Sequence, residues 1–115
     1  RIANAQYLTE HLKGVTTPVV PEGTHHVFHQ YTIRVSDGRR DDLAAYLREN
    51  GVGTGIYYPV PIHQQTYYVN ELGYDMTLPE AERATEEALS LPVHPALEQA
   101  DLETIVELVN GFTGA

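Results

Sequence analysis

Pro59 and Pro61, flanking Val60 and preceded by Tyr57-Tyr58, restrict the backbone of this chain more tightly than any other residues in it. Each proline fixes φ and removes an N–H donor, so a strand or helix that reaches them stops. Each also drives the residue before it, Tyr58 and Val60, into extended geometry. Upstream, Gly51, Gly53 and Gly55 alternate with Val52 and Thr54, where backbone shapes that a Cβ resists become available. The pattern predicts a short strand around Thr54–Tyr58 feeding a stiff turn that delivers His63. A rigid turn that holds a polar side chain is how binding loops are built. The stretch from Gly51 to Tyr74 is therefore the candidate functional region.

The rest of the chain reads as elements that carry this turn. Arg1–Lys13 places Ile2, Ala5, Leu8 and Leu12 at helical spacing, with Gly14 as the stop. His25–Val35 alternates as a strand, with Val27, His29, Tyr31, Ile33 and Val35 on the core face. Ser36-Asp37-Gly38 is a turn that caps a helix from about Arg39 to Asn50, ended by Gly51. Gln64–Leu72 is expected to form a short helix. Thr77 and Glu80 have the spacing of a capping box, with Thr77 as cap of a helix running to about Ala88. Leu89–His94 is a short strand closed by Pro92 and Pro95. A last helix, about Glu98–Asn110, is ended by Gly111. The expected architecture is α/β (α+β): a small, mainly antiparallel sheet of about three strands with helices packed on one face.

With 115 residues, one domain over 1–115 with one core is expected. No apolar run is long enough to span a bilayer. There is no cysteine, so disulfide and thiolate chemistry are excluded, and the cytoplasm is the default compartment. The net charge of −9 repels phosphate backbones and argues against a nucleic-acid partner. The chain opens at Arg1, inside a helical pattern and without an initiator methionine, which reads as a piece of something larger.

The chemistry-bearing side chains leave few constellations. His25, His26, His29, His63 and His94 raise the question of a metal and of a metal-dependent enzyme. No His-x-Glu and no carboxylate cluster accompanies them, so no metal is expected and core-edge or partner-facing roles fit better. Tyr57, Tyr58, Tyr67, Tyr68 and Tyr74 suit either a sugar-stacking or cofactor-facing surface, or packing around a small core with hydroxyls outward. Adjacent side chains on a strand point apart, so at most one of Tyr57 and Tyr58 faces a given ligand. Gly51-Val-Gly-Thr-Gly precedes a strand rather than a helix, so it is no phosphate loop. Ser36 and Ser90 lack a nucleophile elbow.

Three ordered segments resemble one family. They are Phe28-His-Gln-Tyr-Thr-Ile-Arg-Val with Arg40-Asp-Asp-Leu-Ala-Ala-Tyr-Leu, then Gly51-Val-Gly-Thr-Gly-Ile-Tyr-Tyr-Pro-Val-Pro-Ile-His, then Leu78-Pro-Glu-Ala-Glu-Arg-Ala-Thr-Glu-Glu-Ala-Leu-Ser-Leu-Pro-Val-His-Pro. In order and spacing they are similar to the C-terminal small domain of the DegT/DnrJ/EryC1/StrS family of pyridoxal-phosphate-dependent sugar aminotransferases, enzymes of fold type I. The resemblance implies that residues 1–13 end an interdomain helix and that 24–115 form the body of the small domain. It implies transfer of an amino group, usually from glutamate, to a nucleotide-linked keto-sugar. Pyridoxal 5'-phosphate would be held by a lysine in the large domain of the same polypeptide, within a homodimer. The only lysine here, Lys13, sits in no matching motif, so this piece is expected to hold no catalytic or cofactor-binding residue and to be inactive alone.

By position, the resemblance makes His63, Tyr58 and Tyr57 the substrate-side contacts, orienting the keto-sugar or the donor carboxylate. The competing role for His63 is a hydrogen bond that pins the proline turn. Arg34 and Arg40 are further candidate anion contacts, Arg40 more naturally a helix-surface residue. Two rivals stand beside this reading: a free-standing ferredoxin-like binding or regulatory module, and a sugar dehydratase of the same family.

Overall fold

The alternating run His25–Val35 forms a strand only over Tyr31–Arg34 (β1) in the computed structural model, which describes residues 1–115 throughout. The cause is Phe28, whose φ of 48° lies in the left-handed region. Its N–H donates to Nδ1 of His26 at 2.9 Å and closes a turn. That turn swaps the parity of the run. Phe28, expected on the outer face, is buried, while Val27 and His29 are exposed. From Tyr31 onward the expected alternation holds, with Tyr31, Ile33 and Val35 all buried.

The elements follow in the order α1 (Ile2–His11), β1, α2 (Arg40–Glu49), a 3-10 turn (Ile62–Gln64), a π-helical turn (Tyr67–Glu71), α3 (Pro79–Glu87), β2 (Ala88–Leu91) and α4 (Gln99–Thr113). None of these helices is long and apolar enough to cross a membrane. β1 and β2 pair antiparallel, with Tyr31 opposite Leu91 and Ile33 opposite Leu89. The sheet is thus mixed with helices and antiparallel, but its expected third strand is one bridge wide. Gly55 exchanges both backbone bonds with Ser90 on the outer side of β2, at 3.0 and 2.7 Å. Beyond Tyr58 the prolines have no donors to extend the ladder. Thr16 makes a matching single bridge to Arg34 on the outer side of β1.

One face of this ladder carries the core. Tyr31, Ile33, Leu89 and Leu91 meet Ala5, Leu8 and Leu12 from α1 and its end, Leu43 and Leu47 from α2, and Leu102, Ile105 and Val109 from α4. Full burial of each large side chain contributes about 1.5–3 kcal/mol. The opposite face is polar: Thr32 and Ser90 share a hydrogen bond between hydroxyls at 2.7 Å. α3 buries no side chain.

Helix ends depart from the sequence expectation where side chains compete for the caps. α3 begins one residue later than predicted, with Leu78 as cap and Pro79 in its first turn. Glu82, not Glu80, then reaches back to the Leu78 N–H at 2.7 Å, and Glu80 pairs with Arg83 instead. α4 runs through Gly111 to Thr113 and ends at Gly114, φ 73°. The extension has a purpose that only tertiary contacts reveal. Asn110 accepts from the Lys13 N–H at 2.8 Å and donates to the His11 carbonyl at 3.0 Å, and Thr113 donates to the Lys13 carbonyl at 3.1 Å. The ends of α1 and α4 are laced together. In place of the single helix expected over Gln64–Leu72 there are the two short turns.

Arg40 is buried, not a helix-surface residue. Its Nη1 donates to the carbonyls of Thr85 at 2.8 Å and Ala88 at 2.9 Å, at the junction of α3 and β2, and its Nε to Asp41 at 2.6 Å. Arg34 pairs with Glu87 at 2.9 Å. Both arginines are thereby committed to holding α3 on the sheet.

Tyr31, wholly buried, shares a 2.9 Å hydrogen bond with Thr9. Burial raises its phenol pKa above the ordinary 10.0, and the Thr9 bond offsets part of that rise. The folded chain therefore holds this proton more tightly than the unfolded one. The stabilisation is complete below pH 10 and declines as pH climbs through the raised value. Urea unfolding above pH 10 should show stability falling with pH more steeply than in Tyr31→Phe; parallel slopes would contradict this origin.

Candidate functional site

The proline turn is anchored at its start and held at its end. At the start, Val52 is buried and its N–H donates to the Leu47 carbonyl at 2.8 Å. The Gly55–Ser90 bridge then fixes the backbone just ahead of Tyr57. Gly55 is required there by close approach: a Cβ on it would lie 2.5 Å from ring atoms of Tyr57. The Tyr57 ring, about half exposed, is draped over that glycine.

Tyr57 lines a groove of about 500 Å³ together with Arg1, His29, Gln30, Thr54 and His94. Tyr58, 73% exposed, faces a different groove of about 540 Å³, beside Pro59, Val60 and Gln64. The two rings meet edge to face with centroids 5.8 Å apart. The two side chains touch and yet open onto different grooves, although the strand expected here is a single bridge.

His63 lines neither groove. It is 5% exposed, the only buried residue between Val52 and Leu89. Its Nε2 lies 3.6 Å from Oε2 of Glu82, beyond hydrogen-bond reach, and has no other partner. The same Glu82 carboxylate accepts from Gln64 at 2.6 Å and from the Leu78 N–H. Glu82 thus ties the turn to α3, with the His63 ring packed between them. Of the three residues singled out in the sequence, two reach the surface on separate grooves and the third stands behind them.

His29 and His94 were weighed in the sequence as metal ligands and read instead as core-edge or partner-facing residues, not as neighbours of Tyr57. No three histidine, cysteine, aspartate or glutamate side chains converge anywhere in the chain. The sheet register explains their meeting in one groove. Tyr31, at the start of β1, pairs with Leu91, at the end of β2. Residues just before β1 and just after β2 therefore emerge at the same end of the ladder. Once these two strands are taken as antiparallel neighbours, that pairing is legible from sequence.

The residues present do not make a pyridoxal phosphate site. Lys13 is exposed, its backbone is bound to α4, and it lines none of the grooves described. The glycine run leads into a bridge, not into the start of a helix.

Known proteins show where such a chain occurs. A protein named "Pleiotropic regulatory protein" from Geobacillus stearothermophilus is 48% identical over 99 residues, 85% of this chain and 26% of the relative. A UDP-N-acetyl-3-dehydro-alpha-D-glucosamine 3-aminotransferase of Acidithiobacillus ferrooxidans is 36% identical, over 91% of this chain and 28% of its own length. The crystal structure of Streptomyces venezuelae DesV in complex with a ketimine intermediate superposes with a TM-score of 0.88 at 32% identity, covering 99% of this chain and 31% of that one. The chain thus spans less than a third of the length of these relatives. The model of the DegT/DnrJ/EryC1/StrS aminotransferase family matches residues 1–110, and with the fold and these relatives in agreement, the chain belongs to that family.

Proposed function

We propose that this chain is the C-terminal small domain of a pyridoxal-phosphate-dependent sugar aminotransferase, with residues 1–13 leading in from a large domain and 24–115 forming the body. The whole enzyme moves an amino group, with glutamate as donor, onto a keto carbon of a nucleotide-linked sugar, and works in the cytoplasm as a homodimer. The large domain supplies the cofactor and its lysine. This chain supplies one wall of the cleft and does not turn over substrate alone.

The observation that carries the reading is the placement of Tyr57, pinned over Gly55 at the lip of a polar groove. Tyr57 offers its aromatic face and hydroxyl to a sugar in this groove, and Tyr58 flanks it on the neighbouring one; both are exposed. His63, shut away beside Glu82, acts as a positioning residue that fixes the turn on which the two tyrosines ride.

Kinetics of the full-length enzyme test this. Gly55→Ala pushes the Tyr57 ring off its seat. It should raise the sugar KM roughly tenfold, about 1.4 kcal/mol of lost binding, with little change in thermal stability because an exposed ring can swing aside. Tyr57→Ala should match it. Unchanged kinetics in both variants would remove Tyr57 from the substrate.

A second reading, a regulatory rather than an enzymatic role for the whole protein, is suggested by the name of the Geobacillus relative. Aminotransferase activity of the full-length protein with a sugar KM raised in Tyr57→Ala would decide against it.

A further inference from the structure

The Nε2 of His63 is the one buried polar side-chain atom in the chain that has no hydrogen-bond partner. Such an atom has given up water without gaining a bond in exchange, and folded proteins leave few of them. The facing group is the Glu82 carboxylate, whose Oε2 lies 3.6 Å away. That gap exceeds a hydrogen bond by roughly 0.5 Å, so a small movement of either side chain closes it.

Glu82 is also where the segment between the proline turn and α3 is held. Its Oε1 accepts from the Gln64 amide at 2.6 Å and its Oε2 from the Leu78 N–H at 2.7 Å, so one carboxylate grips both ends of residues 64–78. Every other hydrogen bond made by residues 59–77 stays among themselves. Glu82 is the only carboxylate that pairs with the His63 ring, and no lysine or arginine competes for it. Its helix neighbours Glu80 and Arg83 are engaged with each other, and Tyr67 and Tyr68 on the π-helical turn meet edge to face.

A neutral imidazole carries a proton on one nitrogen only, whereas the imidazolium donates from both. Facing a carboxylate, a bare Nε2 is repelled, while a charged Nε2–H makes a bond about twice as strong as a neutral one. Burial opposes the charge. Two observations outweigh that here. The neutral ring already leaves an atom unpaired, and the Glu82 side chain, 26% exposed, keeps part of its own hydration. We propose that His63 and Glu82 form a proton-operated clasp: proton uptake by His63 closes the gap to Glu82 and seats residues 59–78 on α3, and proton loss frees them together with the Tyr57–Tyr58 turn. Histidine suits such a role because its charge changes within the physiological range. A consequence for sugar binding rests on the function proposed above; the clasp itself does not.

The test is hydrogen exchange of the full-length protein, read by mass spectrometry between about pH 5.5 and 8 and corrected for the intrinsic pH dependence of exchange. Protection of the amides of residues 64–76 should be at least about fivefold greater at the acidic end. His63→Gln stays polar but takes up no proton, and Glu82→Gln keeps the shape but not the charge. Both should flatten the dependence while protection of the β1–β2 ladder, the control for folding, stays as in the wild type. Glu82→Asp, which keeps the charge but draws it back by one methylene, should weaken the dependence without abolishing it. Equal protection at both ends of the range in the wild type, or an unaltered dependence in His63→Gln, would overturn the clasp. The sugar KM should rise with pH in the wild type and not in His63→Gln. A KM indifferent to pH while exchange responds would overturn the clasp's link to the substrate, leaving the aminotransferase reading to the Tyr57 kinetics.

Discussion

Replacing Arg40 with methionine should lower the unfolding free energy by about 3 kcal/mol, the loss expected when a buried charged donor is withdrawn from partners that stay buried. The Thr85 and Ala88 carbonyls belong to the last turn of α3 and the first residue of β2, where helical partners have run out. A positive charge is also favoured at the carboxyl end of a helix. Methionine keeps most of the side-chain length but offers no donor. Asp41 contributes little, because its side chain is 80% exposed and such a pair is screened by water. Asp41→Asn should therefore leave urea midpoints nearly unchanged, and Arg40→Lys, with charge but no fork, should fall between. A loss below about 1 kcal/mol in Arg40→Met would show that water replaces the guanidinium at those carbonyls.

The second large effect is expected at Gly14. Its φ of 75° disfavours any side chain, and a Cβ there would lie 2.5 Å from the Cβ and Oγ1 of Thr113. Gly14→Ala should cost about 2–3 kcal/mol, part from the backbone and part from the collision. The two parts separate in a double-mutant cycle. Thr113→Ala alone loses the bond to the Lys13 carbonyl, about 1 kcal/mol, but in the Gly14→Ala background it also removes the Oγ1 part of the collision, the contact with the Thr113 Cβ remaining. The pair should be less damaging than the sum by about 1 kcal/mol. Strict additivity would mean that the two helix ends separate at no cost, contrary to the lacing through Asn110.

Most of the architecture was legible because its signals are periodic. Leu43 and Leu47, or Leu102, Ile105 and Val109, mark one helix face by spacing alone, and both groups are buried. Glycine at Gly51 ended a helix as read. Several misreadings share one cause, a tertiary partner that overrode a local signal; at the start of α3 the competitor is local, Glu82 in place of Glu80. Gly111 was read as a stop, but α4 continues because Asn110 and Thr113 have partners on α1. The strand at His25–Val35 was read too long because nothing in the alternation reveals that Phe28 turns left-handed to bury its ring. At the candidate site, the tyrosines and the turn were found from Pro59 and Pro61. The burial of His63 was not, since its neighbour Glu82 lies on another element. Arg40 was placed on the surface for the same reason.

The segment between Val52 and Leu89 commits a single side chain, His63, to the interior. Its amides should accordingly exchange with solvent long before those of the β1–β2 ladder, as a separate, weaker cooperative unit. Ahead of the α3 end that Arg34 and Arg40 hold, such an arm accepts substitutions at its exposed positions that the folding unit beneath it scarcely registers. Lineages can diversify what it greets by rewriting these residues, while the scaffold that presents them stays under its own, independent selection.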